Sequence, residues 1–420
     1  MSAKRGIFIL AFVSIFVLLS WKIVIATPEL GSFITVWDDQ IDNHDPTLAY
    51  ASNHNEYLVV WWNDRAVVDD IYARRVARDG SWLSNFTVVS SAGEEYWQPV
   101  IAYSPLQQQY LIAYTHNDPT SGMDVWARRV SWNGGWLSVP IAIDNGAGNQ
   151  QNPKVAYNSQ DDEFLVVYQN NRVLSGDIAA QRVRASDGAL LSWANVATGP
   201  ANDYRLTPDV TYNAARNQYL ITYNYWNLTD APQIRGKLAA ANLSGISIAP
   251  EINICCYGVS QQQWNPTVAA GPDEYLVAFT NGIISGPIYA RRVSGAGTPL
   301  GASSGFTVSP PSDCRQPDMA YSSIYGYMVS FHIYETTYLE DVYTNNVLPG
   351  QDAVNQFPYG TNGGISTRQK EASVACITDG DCFVVTEDNL DYATWTQKDY
   401  EIRGTFLLTH RIYLPLVHTD

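Results

Sequence analysis

A single phrase recurs through this chain: a stretch like PTLAY, then one like EYLVVWW, then DIYARRV, and then a turn of the Asp-Gly kind. Copies begin at Pro46, Pro99, Pro153, Pro208, Pro266 and Pro317, and a degenerate copy begins near Ala372. A period of fifty-odd residues means one small supersecondary unit, copied and stacked, because no single copy can bury its own apolar face. The 420 residues therefore form one large closed body rather than two or three unlike domains.

Each copy reads as four short strands, a to d, separated by turn-forming residues. Strand b is a near-continuous apolar run: YLVVWW from Tyr57, YLIAY from Tyr110, FLVVY from Phe164, YLITY from Tyr219 and YLVAF from Tyr275. A strand apolar on both faces must be covered on both faces. Stacking four-stranded sheets radially provides that cover, so the expected fold is an all-β, seven-bladed β-propeller of antiparallel blades. The c-to-d turns carry Asp79-Gly80, Asn133-Gly134 and Asp187-Gly188, dipeptides that supply the positive φ of tight hairpins.

The chain ends predict how the ring closes. FITVWDDQIDNHD before Pro46 aligns without a gap to FTVVSSAGEEYWQ before Pro99, so residues 32–37 read as a strand d with no a, b or c of its own. The last copy has the opposite defect, with SVACI, CFVVT and EIRGTF but no comparable strand d. Joining the orphans completes a seventh blade and leaves no open sheet edge.

Lys4 and Arg5 precede an apolar run from Ile7 to Leu19, and VIA at Val24–Ala26 fits signal-peptidase cleavage. The expected organisation is a signal peptide or signal anchor over 1–26, a propeller over 27–407 and a tail over 408–420, in a secreted or cell-surface protein. The formal charge of −16 becomes more negative without Lys4, Arg5 and Lys22, which disfavours nucleic acid and anionic lipid as partners. Beyond a possible N-terminal anchor, no membrane association is expected. The protein is expected to be monomeric. Of five cysteines, Cys376 and Cys382 flank the turn ITDGD and are expected to form a disulfide. Cys314 lies within reach of Cys255 or Cys256 if successive blades present them on one face.

EYLVVW followed by DIYARRV and Asp-Gly resembles repeats of exported bacterial β-propeller proteins of poorly defined function. The likeness spans residues 32–407, is architectural, and implies no catalytic residue. It weakens in blades four and seven, where IRG at Ile234–Gly236 and Ile402–Gly404 replaces the IYA part. No SxDxGxxW box of the sialidase type is present, nor a GxSxG, HExxH or DxDxDG motif. No metal and no cofactor is expected.

Residues that recur from copy to copy belong to the scaffold, among them Arg75, Arg129, Arg182 and Arg292 at one equivalent place in strand c. Departures from the repeat are where a site would lie. The residue before each strand-a proline is Asp45, Gln98, Asn152, Thr207, Asn265, Gln316 and Glu371. One residue earlier stand His44, Trp97, Gln151, Leu206, Trp264, Arg315 and Lys370. Indoles beside amides, cations and carboxylates are suited to a sugar ring, whose faces are apolar and whose rim is polar. The b-to-c loops add Trp226, Glu335 and Trp395. From these residues we expect a non-enzymatic module binding glycan or protein. A polysaccharide hydrolase or lyase using the face's carboxylates is the alternative, and an envelope module without a ligand is a third.

Overall fold

The computed structural model describes residues 28–39, 41–65, 68–171, 176–227, 229–242, 245–255, 262–282, 285–336, 339–354, 359–360, 368–377, 380–389 and 400–409. The expected signal segment, Trp395, Cys256 and residues 410–420 of the tail fall outside them.

Seven antiparallel sheets form the seven blades. Blade one comprises Asp42–Ala51, Glu56–Arg65, Val68–Ala77 and Trp82–Val89 as strands a to d. Blade two comprises Glu95–Ser104, Gln109–Asp118, Gly122–Ser131 and Ile141–Asp144. Blade three follows with Asn149–Asn158, Glu163–Asn171, Asp177–Arg184 and Leu190–Ala197. In blade four, Tyr204–Asn213, Gln218–Trp226 and Gln233–Asn242 are edged by two short pieces, Gly245–Ile248 and Ile252–Cys255. Pro250 sits between those pieces, and a proline cannot donate to a ladder, so the edge strand is interrupted there. Blade five is Gln263–Ala270, Glu274–Asn281, Ile288–Ser294 and Phe306–Thr307. Blade six is Cys314–Ser322, Gly326–Thr336, Leu339–Val347 and Tyr359–Gly360.

Blade seven is assembled from both ends of the chain. Arg368–Cys376, Cys382–Asn389 and Tyr400–Thr409 are its a, b and c strands, and Pro28–Trp37 pairs with Tyr400–Thr409 as its d strand. The orphan strand at Phe33 thus closes the ring as expected, and the Cys376–Cys382 disulfide clips the a-to-b hairpin of the same blade. Cys255 is disulfide-bonded, whereas Cys314 is a buried free thiol. A Cys314 bridge to Cys255 or Cys256 is therefore not formed.

The strand-b runs are the core. Leu58 to Trp61, Tyr110 to Ala113, Phe164 to Val167 and Tyr275 to Ala278 have essentially no solvent exposure. A buried aliphatic side chain of that size contributes roughly 1.5–3 kcal/mol. Successive residues of each run face opposite neighbouring blades, which is why the run does not alternate with polar residues. Leu58 and Val60 join the cluster between blades one and two, while Tyr57, Val59 and Trp61 join the cluster between blades one and seven.

The recurring arginines serve the scaffold in two ways. Arg75, Arg182 and Arg292 pair with Glu56, Glu163 and Glu274, each at the start of the adjacent strand b. In blades one, two and five an arginine one residue earlier, before Arg75, Arg129 and Arg292, reaches the preceding blade: Arg74 Nη1 donates to Val36 O at 2.5 Å, Arg128 to Val88 O, and Arg291 to Ile254 O at 2.6 Å. Blade six replaces this arginine with Asn345 and keeps the tie, donating to Val308 O at 2.5 Å. The c-to-d turns at Gly80, Gly134, Gly188 and Gly297 also pack onto the outer strand of the blade before them. Gly134 (φ 95°) is needed there twice over, since a Cβ would lie 2.7 Å from the Phe86 ring.

Candidate functional site at the channel mouth

Every strand a carries the same irregularity. In blade one the register steps from His44↔Trp62 to Thr47↔Val60, so one extra residue is inserted opposite strand b. The same step occurs at Trp97/Val100, Gln151/Lys154, Leu206/Asp209, Trp264/Thr267, Arg315/Asp318 and Lys370/Ser373. The pre-proline residue at each bulge has a left-handed backbone, with φ between 43° and 54°, although none of the seven is glycine. Such a backbone costs free energy at a non-glycine residue and persists only where its surroundings fix it.

The bulge turns these residues toward the axis. Asp45, Gln98, Asn152, Thr207, Asn265, Gln316 and Glu371 all line one central channel of about 620 Å³. The series just before them does not line it. His44 approaches Glu387 of blade seven at 3.4 Å and lies against the rings of Trp62 and Tyr400. Trp97 Nε1 donates to Asp69 Oδ2 of blade one at 2.5 Å, and Trp264 Nε1 donates to Gln262 Oε1 at 3.4 Å. Arg315 lies over the Tyr334 ring at 4.5 Å, and Trp226 stacks on Tyr204 at 4.8 Å. Lys370 holds the register position opposite Glu387, and Glu335 lies near the end of strand b in blade six. Trp97 and Trp264 stand in blades two and five and are not among the residues that line the channel.

The mouth has two unlike halves. Across blades two to four its side chains are bound to one another or to strand b. Thr115 Oγ1 donates to Gln98 Oε1 at 3.0 Å, Gln98 Nε2 to Asn152 Oδ1 at 2.6 Å, and Asn152 Nδ2 to Gln169 Oε1 at 3.3 Å. Thr207 Oγ1 donates to Asn224 Oδ1 at 2.5 Å, and the same oxygen accepts from Asn265 N at 3.0 Å. The other half runs through blades five, six, seven and one. Among the described residues, the Asn265 and Gln316 side chains make no hydrogen bond, and Gln316 is exposed.

Two acids, Glu371 and Asp45, complete that open half. Their oxygens and one from the fully buried Glu387 lie within 4.8 Å of one another. Trp62 Nε1 donates to Asp45 Oδ2 at 2.8 Å, and Asp45 N donates to Glu387 Oε1 at 2.9 Å. Burial, followed by the charge of Glu371 and a hydrogen bond with it, pushes the Asp45 carboxyl well above the usual range, against the smaller pull of Trp62 and His44. Asp45 is thus poised to carry the proton of an acid pair. One oxygen from each of three carboxylates falls short of the six to eight that calcium takes, and we assign no cation here.

A second layer below the mouth was not evident from the repeat. Lys154, Asp209 and Asp318 project from positions that hold Thr47, Val100, Thr267 and Ser373 in the other blades. Asp209 accepts from Val268 N at 2.8 Å, and Asp318 accepts from Val374 N at 2.9 Å and Ser373 Oγ at 3.0 Å. Burial raises the Asp209 carboxyl, while Lys154 pulls it back. Each Asp departs from its repeat, the signal that could have singled it out.

No protein-family model and no curated protein sequence matches this chain. Among solved structures it is similar to a protein of unknown function from Dyadobacter fermentans, with a TM-score of 0.52, 9% identity, and coverage of 90% of this chain and 99% of that one. It is also similar to the β-propeller domain of the trilobed protease from Pyrococcus furiosus, with a TM-score of 0.49, 9% identity and coverage of 89% and 99%. A Hadza microbial sialidase gives a TM-score of 0.49, 11% identity and coverage of 83% and 76%. The likeness to the Dyadobacter protein shows a shared fold, and an identity this low carries no chemistry.

Proposed function

We propose that this chain is an exported or cell-surface propeller that binds a hydroxyl-rich ligand, a glycan end, at the channel mouth. The open half carries the reading: Asn265 and Gln316 offer donors and acceptors not engaged within the protein, next to the Glu371–Asp45 acid pair. Amides and carboxylates at the rim of a concave site are the groups that orient sugar hydroxyls. The Cys376–Cys382 disulfide supports an oxidising compartment. A glycan array probed with the full chain and with Asn265→Ala/Gln316→Ala tests the reading. Specific binding lost in the variant is the expected result, and equal binding by both proteins would count against it.

The acid pair favours one further reading, a polysaccharide hydrolase with Asp45 as proton donor and Glu371 as its ionised partner. Two carboxyl groups this close do not ionise together, and differential protonation is what general acid catalysis requires. Release of reducing ends from a polysaccharide panel, abolished by Glu371→Gln, would place this reading ahead of simple binding.

A further inference from the structure

A second surface lies on the outer strands, away from the channel. Trp82 and Trp136 open the edge of blades one and two opposite Val76 and Val130, and they are 56% and 59% exposed. The equivalent position opposite Val183 in blade three is Leu190, so the fold does not demand an indole there. Both rings are nevertheless held. Arg74 lies between Trp82 and Trp37, 4.7 and 4.8 Å from their centroids, with its own Nη1 fixed on Val36 O. Arg128 lies 4.2 Å from the Trp136 centroid and is fixed on Val88 O, while Trp136 Nε1 donates to Thr87 O at 3.1 Å. Each indole thus has a guanidinium on one side and solvent at the other, and ordering it on a ligand costs little side-chain entropy.

The two platforms share one strand. Trp82 begins the outer strand of blade one, and Trp136 is anchored to Thr87 of that strand, five residues on, or roughly 17 Å at the strand rise. With Leu83 and Leu137 beside them, they expose roughly 400 Å² on the scale of 150–250 Å² per aromatic side chain. That is about half of the roughly 800 Å² per partner that a stable protein interface uses. Small polar or glycine residues flank each indole in sequence, as in SWLS at Ser81–Ser84 and GWLS at Gly135–Ser138. The chain's charge of −16 disfavours an acidic polymer.

We infer that Trp82 and Trp136 form a stacking surface for a neutral β-linked polysaccharide chain, whose sugar rings present flat apolar faces at intervals along an extended ribbon. This surface is separate from the channel mouth and does not depend on its function. Pull-down of the full chain on insoluble cellulose and on chitin tests it. Retention on at least one polymer is expected, falling at least tenfold in Trp82→Leu/Trp136→Leu, which should still unfold cooperatively with a midpoint lowered only slightly by the lost Thr87 hydrogen bond and arginine contacts, because leucine already serves at this position in blade three. Asn265→Ala/Gln316→Ala should be retained like the unsubstituted chain, which separates this site from the mouth. Failure of the unsubstituted chain to bind either polymer, or equal retention of the leucine variant, overturns the inference.

Discussion

The two halves of the channel mouth use the same backbone and differ only in what their side chains do with it. Gln98, Asn152 and Thr207 sit on the same left-handed bulge as Asn265, Gln316, Glu371 and Asp45. In the first half the polar groups are committed to one another or to strand b, and the bulge is a fastening. In the second, two amides remain uncommitted and two acids crowd each other, arrangements that do little for the ring and leave chemistry available to a ligand. A repeated backbone feature can therefore be scaffold in one arc and site in another, and the hydrogen-bond partners tell them apart.

Variants can break or sharpen that contrast, and the buried Arg–Glu pairs give its upper limit. Arg182→Met strands Glu163, almost wholly buried, without its bidentate partner, and should cost about 3–5 kcal/mol in denaturant unfolding. Gln98→Ala removes three hydrogen bonds made by its side chain in the committed half and should cost about 1–3 kcal/mol by the same measurement. Asn265→Ala, in the open half, gives up no side-chain hydrogen bond and should cost less, about 0.5–1 kcal/mol, for alanine's poorer tolerance of the left-handed backbone. Equal costs for Gln98→Ala and Asn265→Ala would erase the distinction.

The acid pair adds a pH signature. The folded carboxyl of Asp45 titrates above its unfolded value, so between the two the native state binds the extra proton. Its contribution to stability is complete below the ordinary carboxylate range and is lost as pH rises through the raised value. Unfolding midpoints measured across that window should decline more steeply for the unsubstituted chain than for Asp45→Asn. Parallel profiles would mean that Asp45 is ionised in the folded protein.

The blade count, the four-strand unit, the closing strand and the Cys376–Cys382 clip are all legible in the sequence because each is written in local periodicity or turn chemistry. The bulge is not. One extra residue reverses which side of the strand a residue faces, so counting alternate positions gives no warning that Asp45 faces the axis while His44 turns to Glu387 and Tyr400. For the same reason Trp97 and Trp264 read as a sugar platform, yet their indole N–H groups go to Asp69 and Gln262. Glu387 lies on strand b of blade seven, and its meeting with Asp45 depends on ring closure, which brings together residues more than three hundred positions apart.

The most direct measurement is glycan affinity by array and calorimetry for three proteins: the unsubstituted chain, Asn265→Ala/Gln316→Ala, and Gln98→Ala/Asn152→Ala. The account predicts binding that falls at least tenfold, about 1.4 kcal/mol, in the open-half variant and stays within about twofold in the committed-half variant. Equal loss from the two halves, or loss confined to the committed half, would contradict it.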